Sequence, residues 1–161
     1  MSLLTIRRAR ASDAKSLAKI GHQAWQRGIA AHLPANARDK IGPQVFEDFV
    51  NSFPDEILIA EDEDGILGFA ATENGDNHVT DLWVAPANQG KGIGSQLMKR
   101  MEDRARKRGF DSVELEVLTS NTRALSLYKY LGYRVTKRGM KMDRVLELPL
   151  HKTKLKKSLF F

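Results

Sequence analysis

Read for its apolar positions, the chain passes several times between strand-like and helical spacing. Leu3 to Arg8 reads as a first strand. Ala14, Leu17, Ala18, Gly21, Ala24 and Trp25 then recur at helical intervals, with Ser12 as the expected N-cap and Asp13 in the first turn. His32-Leu33-Pro34 breaks that pattern. A second helix is expected from Pro43, a residue suited to a first turn, with the stripe Val45, Phe46, Phe49, Val50 and Phe53. Three strands follow, Glu56 to Glu61, Ile66 to Thr72 and His78 to Val84. The turn-forming runs Asp62-Glu63-Asp64-Gly65 and Asn74-Gly75-Asp76-Asn77 separate them.

After a glycine-bearing loop, Ile93, Leu97, Met98, Met101 and Ala105 mark the apolar stripe of a long helix that Gly109 ends. Its outer face is expected to carry Lys99, Arg100, Glu102, Asp103, Arg104, Arg106, Lys107 and Arg108. Ser112 to Leu118 is a fifth strand. Asn121 or Thr122 caps a short helix with Ala124, Leu127, Tyr128 and Leu131 on one face, and Gly132 ends it. Tyr133 to Lys137 and Met140 to Leu148 read as the last two strands. The strand–helix–strand unit from 78 to 118 requires a right-handed crossover, so strands four and five should run parallel. The pattern predicts a mixed, mostly antiparallel α/β sheet of about seven strands with one parallel pair and helices on both faces.

The 161 residues suit one domain over 1–150, followed by a basic C-terminal tail over 151–161 with four lysines and no acid. No apolar run approaches the length of a membrane helix or a signal peptide, so a cytoplasmic protein without a membrane partner is expected. There are no cysteines, which excludes disulfides, thiolate metal sites and an acyl-cysteine intermediate. The four histidines are far apart in sequence, so no metal site is expected. The net charge of +6 fits an anionic cofactor, an acidic partner or nucleic acid. The acids interleaved on the basic helix argue for a solvated surface, and nucleic acid is not expected as a partner.

The segment that carries chemistry is Asn88-Gln89-Gly90-Lys91-Gly92-Ile93-Gly94-Ser95, between a strand and a helix. Alternate glycines expose consecutive backbone amides, and the helix start adds the positive end of its dipole. Together they suit phosphate oxygens, with Lys91 as a mobile cation. A P-loop would need Gly-Lys-Ser/Thr after a four-residue gap, which is absent. A dinucleotide fingerprint would need glycine where Ser95 stands. On the residues alone, a glycine turn without a ligand stays open.

This loop, preceded by Leu82-Trp83-Val84-Ala85-Pro86, resembles the cofactor motif Gln/Arg-x-x-Gly-x-Gly/Ala of the GNAT superfamily of N-acetyltransferases. A second block resembles the same family: Leu115-Glu116-Val117, Asn121, Ala124, Leu127-Tyr128 and Leu131-Gly132-Tyr133. In that block the chain is most similar to the ribosomal-protein alanine acetyltransferase branch. The resemblance implies transfer of an acetyl group from acetyl-CoA directly to an amine of a small molecule or a protein. A non-catalytic acetyl-CoA-binding module of the same fold is the alternative. It implies that the backbone of Leu82, Trp83 and Val84 pairs with the pantetheine arm in a gap between strands four and five. It further implies that Gln89, Gly90, Lys91, Gly92, Ile93, Gly94 and Ser95 wrap the pyrophosphate, and that Asn121 lies near the cofactor. Tyr128 would sit by the thioester sulfur and protonate the leaving thiolate. Glu116, twelve residues before it, and His78 are the candidate bases, with Asp81 nearby; a water chain could also carry the proton. The family's first helices wall the acceptor site, which here brings in Trp25, Arg27, His32, Phe46 and Phe49. Members often dimerise, so a homodimer is expected.

Overall fold

The structure, a computed structural model, is described for residues 3–160. In chain order its elements are β1 (Thr5–Arg8), α1 (Ala14–Gly28), α2 (Ala35–Arg38), α3 (Pro43–Ser52), β2 (Ile57–Asp62), β3 (Gly65–Ala71), β4 (His78–Val79) and β5 (Asp81–Val84). They continue with α4 (Ile93–Lys107), β6 (Ser112–Leu118), α5 (Thr122–Tyr130), β7 (Arg134–Asp143) and β8 (Leu148–Ser158). The eight strands fall into two four-stranded sheets, ordered β1-β2-β3-β5 and β4-β6-β8-β7.

Ile57 to Ala60 and Gly68 to Ala71 are buried without interruption, because helices cover both faces of the first sheet. On one face Ile57, Ile59, Phe69 and Ala71 meet α1 and α3 through Leu17, Trp25, Phe46 and Val50. On the other, Leu58, Ala60 and Ala70 meet Leu97, Met98 and Met101 of α4. Gly21 lets α3 approach α1: a Cβ there would lie 2.5 Å from the Phe46 ring. No helix among the described residues is long and apolar enough to cross a membrane.

Strands four and five do run parallel, over His78↔Glu114 and Val79↔Leu115. The fourth strand is not continuous, however. Its first two residues join β6, and from Asp81 it joins β3, so the chain changes sheet at Thr80. That break raises the strand count from the expected seven to eight and opens a gap between the sheets.

Other expectations need correction. Ser12 caps nothing; the residue before α1 is Asp13, whose carboxylate takes the Arg7 guanidinium and the Arg10 amide. Val45 and Phe53 are exposed at the ends of their stripe. Leu125 is buried on α5, although the expected face omitted it. The last hairpin turns between β7 and β8 rather than near Gly139, with Glu147 at a left-handed φ of 58°.

The boundary drawn at 150/151 falls inside a strand. β8 lies between β6 and β7 and pairs with both, with Thr153, Leu155 and Leu159 buried. Its lysines face acids: Lys154 pairs in register with Glu116 and Lys156 with Glu114. Three residues placed on the outer face of α4 also turn inward. Glu102 is buried and accepts hydrogen bonds from Tyr133 at 2.8 Å and Lys157 at 3.0 Å. Arg104 and Arg108 donate to the loop before β4 and to Glu56 and Thr72 at the edges of β2 and β3. Burial, and then the neighbouring Arg108, lower the Arg104 pKa to about 10.

Candidate active site

The gap between the sheets opens into a cavity of about 650 Å³. Tyr128, Glu116, His78, Asn121, Leu82 and Trp83, all singled out from the sequence, line it. Of the expected acceptor walls, Trp25, Phe46 and Phe49 line it, whereas Arg27 and His32 do not. Trp83 meets Phe46 edge to face at 5.7 Å, so an aromatic corner closes one side. The tip of the β7–β8 hairpin closes another, and its Leu146 carbonyl accepts from Lys40 at 2.8 Å.

β5 forms the rim. It bonds to β3 on one side, and no strand lies on its other side among the described residues. The Ala85 amide donates to Leu67 at 2.8 Å, which fixes the alternation. Asp81 and Trp83 then turn their backbone groups toward β3, while Leu82 and Val84 turn theirs toward the gap. Gly68 permits this close seam, since a Cβ there would sit 2.6 Å from the Trp83 carbonyl oxygen. The same edge leads directly into the glycine loop.

In that loop Gly90 and Gly92 both adopt φ near 80°, which only glycine takes up without strain. The first bond of α4 runs from the Gln96 amide to the Gly92 carbonyl, 3.1 Å. The amides of Ile93, Gly94 and Ser95 therefore form an unpartnered first turn. Those of Gly90, Lys91 and Gly92 likewise have no partner among the described residues. Consecutive free amides at the positive end of a 15-residue helix suit an anion. Gln89 holds the entry to the loop by donating to the Val84 carbonyl at 3.2 Å. The loop lies outside the lining of the cavity, and β5 connects the two.

Tyr128 is buried on α5 and meets Tyr133 edge to face at 5.8 Å. Its hydroxyl bonds to no described residue. Burial, with the Asp81 charge adding, raises its pKa well above that of an ordinary phenol. Tyr128 is thus protonated and unengaged at the cavity wall. Asn121 is tied to its own helix, where its side chain accepts from the Ala124 amide at 3.2 Å and confirms it as the cap.

The three acids and bases differ in their surroundings. Glu116 is held by Lys141 at 3.1 Å and Lys152 at 3.8 Å, so ammonium groups flank both of its oxygens. Asp81 accepts from Trp83 Nε1 at 2.9 Å and from the Thr80 hydroxyl at 2.8 Å. Desolvation outweighs these donors and keeps its pKa above the usual carboxylate value. The His78 imidazole bonds to no described residue. Sequence reasoning missed Glu73, Lys141, Asp143, Arg144 and Lys152, which also line the cavity. They come from two turns and their flanking strands, and no local pattern marks them.

A model of the acetyltransferase (GNAT) family matches residues 22–133. Streptothricin acetyltransferase of Streptomyces lavendulae is 40% identical over 81 residues, which are 47% of this chain and 43% of that protein. Across six curated relatives the chain spans 25% to 60% of their length. Among solved structures, the paia N-acetyltransferase of Thermoplasma acidophilum in complex with coenzyme A matches with a TM-score of 0.74. It is 18% identical, over 97% of this chain and 99% of that one. The ribosomal-protein-S18-alanine N-acetyltransferase of Escherichia coli matches with a TM-score of 0.72 and 19% identity, over 99% of this chain and 96% of that one. At these identities the likeness to both structures is one of fold.

Proposed function

Because the chain belongs to the acetyltransferase (GNAT) family, we propose that it transfers an acetyl group from acetyl-CoA to a primary amine. The observation that carries this reading is the continuity of β5. One strand edge, without a strand partner among the described residues, runs from a cavity walled by Tyr128 to a loop of free amides at the start of α4. An elongated molecule with an anionic end and a reactive end fits that path. Gly90 to Ser95 would hold the pyrophosphate of acetyl-CoA, and the Leu82 and Val84 backbone the arm. When bound, the cosubstrate supplies an activated acyl carbon.

The amine nitrogen must add to the thioester carbonyl, the C–S bond must break, and the sulfur must gain a proton. An ammonium acceptor must also give up one proton before attack. Tyr128, protonated and without a partner, is suited to donate toward the leaving sulfur. His78, which lines the same cavity and whose imidazole bonds to no described residue, is suited to accept that proton. Glu116 is less suited, because Lys141 and Lys152 already flank its oxygens. The absence of cysteine accords with direct transfer.

Calorimetric titration of acetyl-CoA into the wild type and Gly92→Glu tests the reading. We expect binding by the wild type and a loss of at least about tenfold in the variant, which places a carboxylate and a strained φ in the loop. Tyr128→Phe should bind acetyl-CoA as well as the wild type yet release thiol about 100-fold more slowly. A folded wild type that does not bind acetyl-CoA would sink the proposal. Binding without thiol release from any amine would leave an acetyl-CoA-binding module.

A further inference from the structure

The charges around the cavity are not all paired. Glu116 and Asp143 are neutralised by Lys141 and Lys152. Glu73 and Arg144 differ from them. Both line the cavity, and each lies in the other's electrostatic field, yet they form no ion pair. Neither makes a hydrogen bond or an ion pair to any described residue. Glu73 is half-buried, in the turn before β4, and Arg144 is exposed on the facing β7–β8 turn. Asp81 lines the cavity as well, and its charge acts on Glu73; His78 lines the same cavity. Burial, followed by repulsion from Asp81, raises the Glu73 pKa.

A partly desolvated carboxylate without a partner is costly until a cation completes it. An unengaged guanidinium offers a fork of donors shaped for a carboxylate. Here the two groups form no ion pair, yet both line one cavity and interact through their charges, so a small dipolar molecule held in that cavity can engage both. Phe46, Phe49 and Trp83 supply apolar wall for the rest of such a molecule.

We propose that the acceptor is a zwitterionic amine of the free amino-acid class, its ammonium directed to Glu73 and Asp81 and its carboxylate to Arg144. This rests on the acetyltransferase reading and narrows it. A diamine would leave Arg144 unsatisfied, and a peptide N-terminus would offer it no nearby carboxylate. Once held, the ammonium is placed near His78, which can take the proton it must lose.

The test is thiol release from acetyl-CoA with a panel of the common amino acids. Each is paired with its amide and its decarboxylated amine, and one aliphatic diamine is added. The wild type should favour at least one amino acid over its uncharged-end counterparts by about tenfold in kcat/KM. Arg144→Gln should collapse that ratio, chiefly through KM, and Arg144→Lys should restore part of it. Glu73→Gln should raise KM for the same amino acid. Equal or better turnover of the amides, decarboxylated amines or diamine would overturn the inference and leave the acetyltransferase reading standing. So would a ratio unchanged in Arg144→Gln. No release from any amine by protein that binds acetyl-CoA would overturn both.

Discussion

In the sheet β1-β2-β3-β5, four successive residues of β2 and four of β3 are buried. In the sheet β4-β6-β8-β7, burial on β8 alternates, Thr153 and Leu155 inside and Lys154 and Lys156 outside. The first sheet is sandwiched between helices, and the second turns much of one face to water. The two also use charge differently. The first carries a compact ion triad at its edge, with Arg7 bonded to Asp13 at 2.9 Å and to Glu61 at 2.7 Å. The second carries a ladder of lysines opposite Glu114 and Glu116. The site forms at the seam because neither sheet completes the other there. β5 ends the first, and the two-residue β4 barely joins the second. A gap held open by two differently stabilised bodies can admit a long ligand without unfolding either.

The comparison is most directly broken at β8. If 151–161 were a solvated tail, deleting it would leave the melting temperature unchanged. As the strand between β6 and β7, its removal strips both of a partner and empties the positions of Leu155 and Thr153. Loss of the cooperative thermal transition, followed by circular dichroism, is expected.

That strand was also the hardest part of the fold to read. Continuous apolar runs such as Ile57 to Ala60 declare themselves, because burial on both faces leaves no polar position to confuse the pattern. On β8 only alternate residues are buried, and Thr153 is one of them, so a lysine at every second place hides a core strand. Of those lysines, Lys152 reaches Glu116 on β6 and Asp143 on β7, and no local window joins them. For the same reason Arg104, Arg108 and Glu102 seemed to be surface residues of α4; their partners are Thr72, Asp76, Tyr133 and Lys157, brought in by topology. The site divides along the same line. The glycine loop and the Asn121 cap were legible because backbone chemistry is local. Glu73 and Arg144 were not, because they matter through each other and lie on turns far apart in sequence.

A smaller effect separates the sheets at their packing. Gly68→Val would bring a Cβ to 2.6 Å from the Trp83 carbonyl oxygen, and β5 would have to move. A destabilisation of about 3 kcal/mol is expected in urea unfolding. Because Leu82 and Val84 move with β5, acetyl-CoA affinity should fall in the folded fraction too. Unchanged affinity would show that the rim of the gap does not depend on the first sheet.

The smallest expected effect concerns charge and can be read against pH. Asp13 is nearly buried beside Arg7, whose hydrogen bonds hold its pKa below the ordinary 3.8 despite the opposing cost of desolvation. A carboxylate with a depressed folded-state pKa stabilises the fold above its unfolded value, and the contribution disappears as pH falls through the folded one. Asp13→Asn should therefore cost about 2 kcal/mol at pH 7. The gap to wild type should shrink below pH 3.8, because protonated aspartic acid then resembles asparagine. In the second sheet Lys141 is more than half exposed beside Glu116. Lys141→Ala should cost only about 0.3 kcal/mol, falling further with added salt. Equal costs for the two variants, or a pH-independent gap for Asp13→Asn, would mean that the edge of the first sheet is held by packing rather than by its buried ion pair.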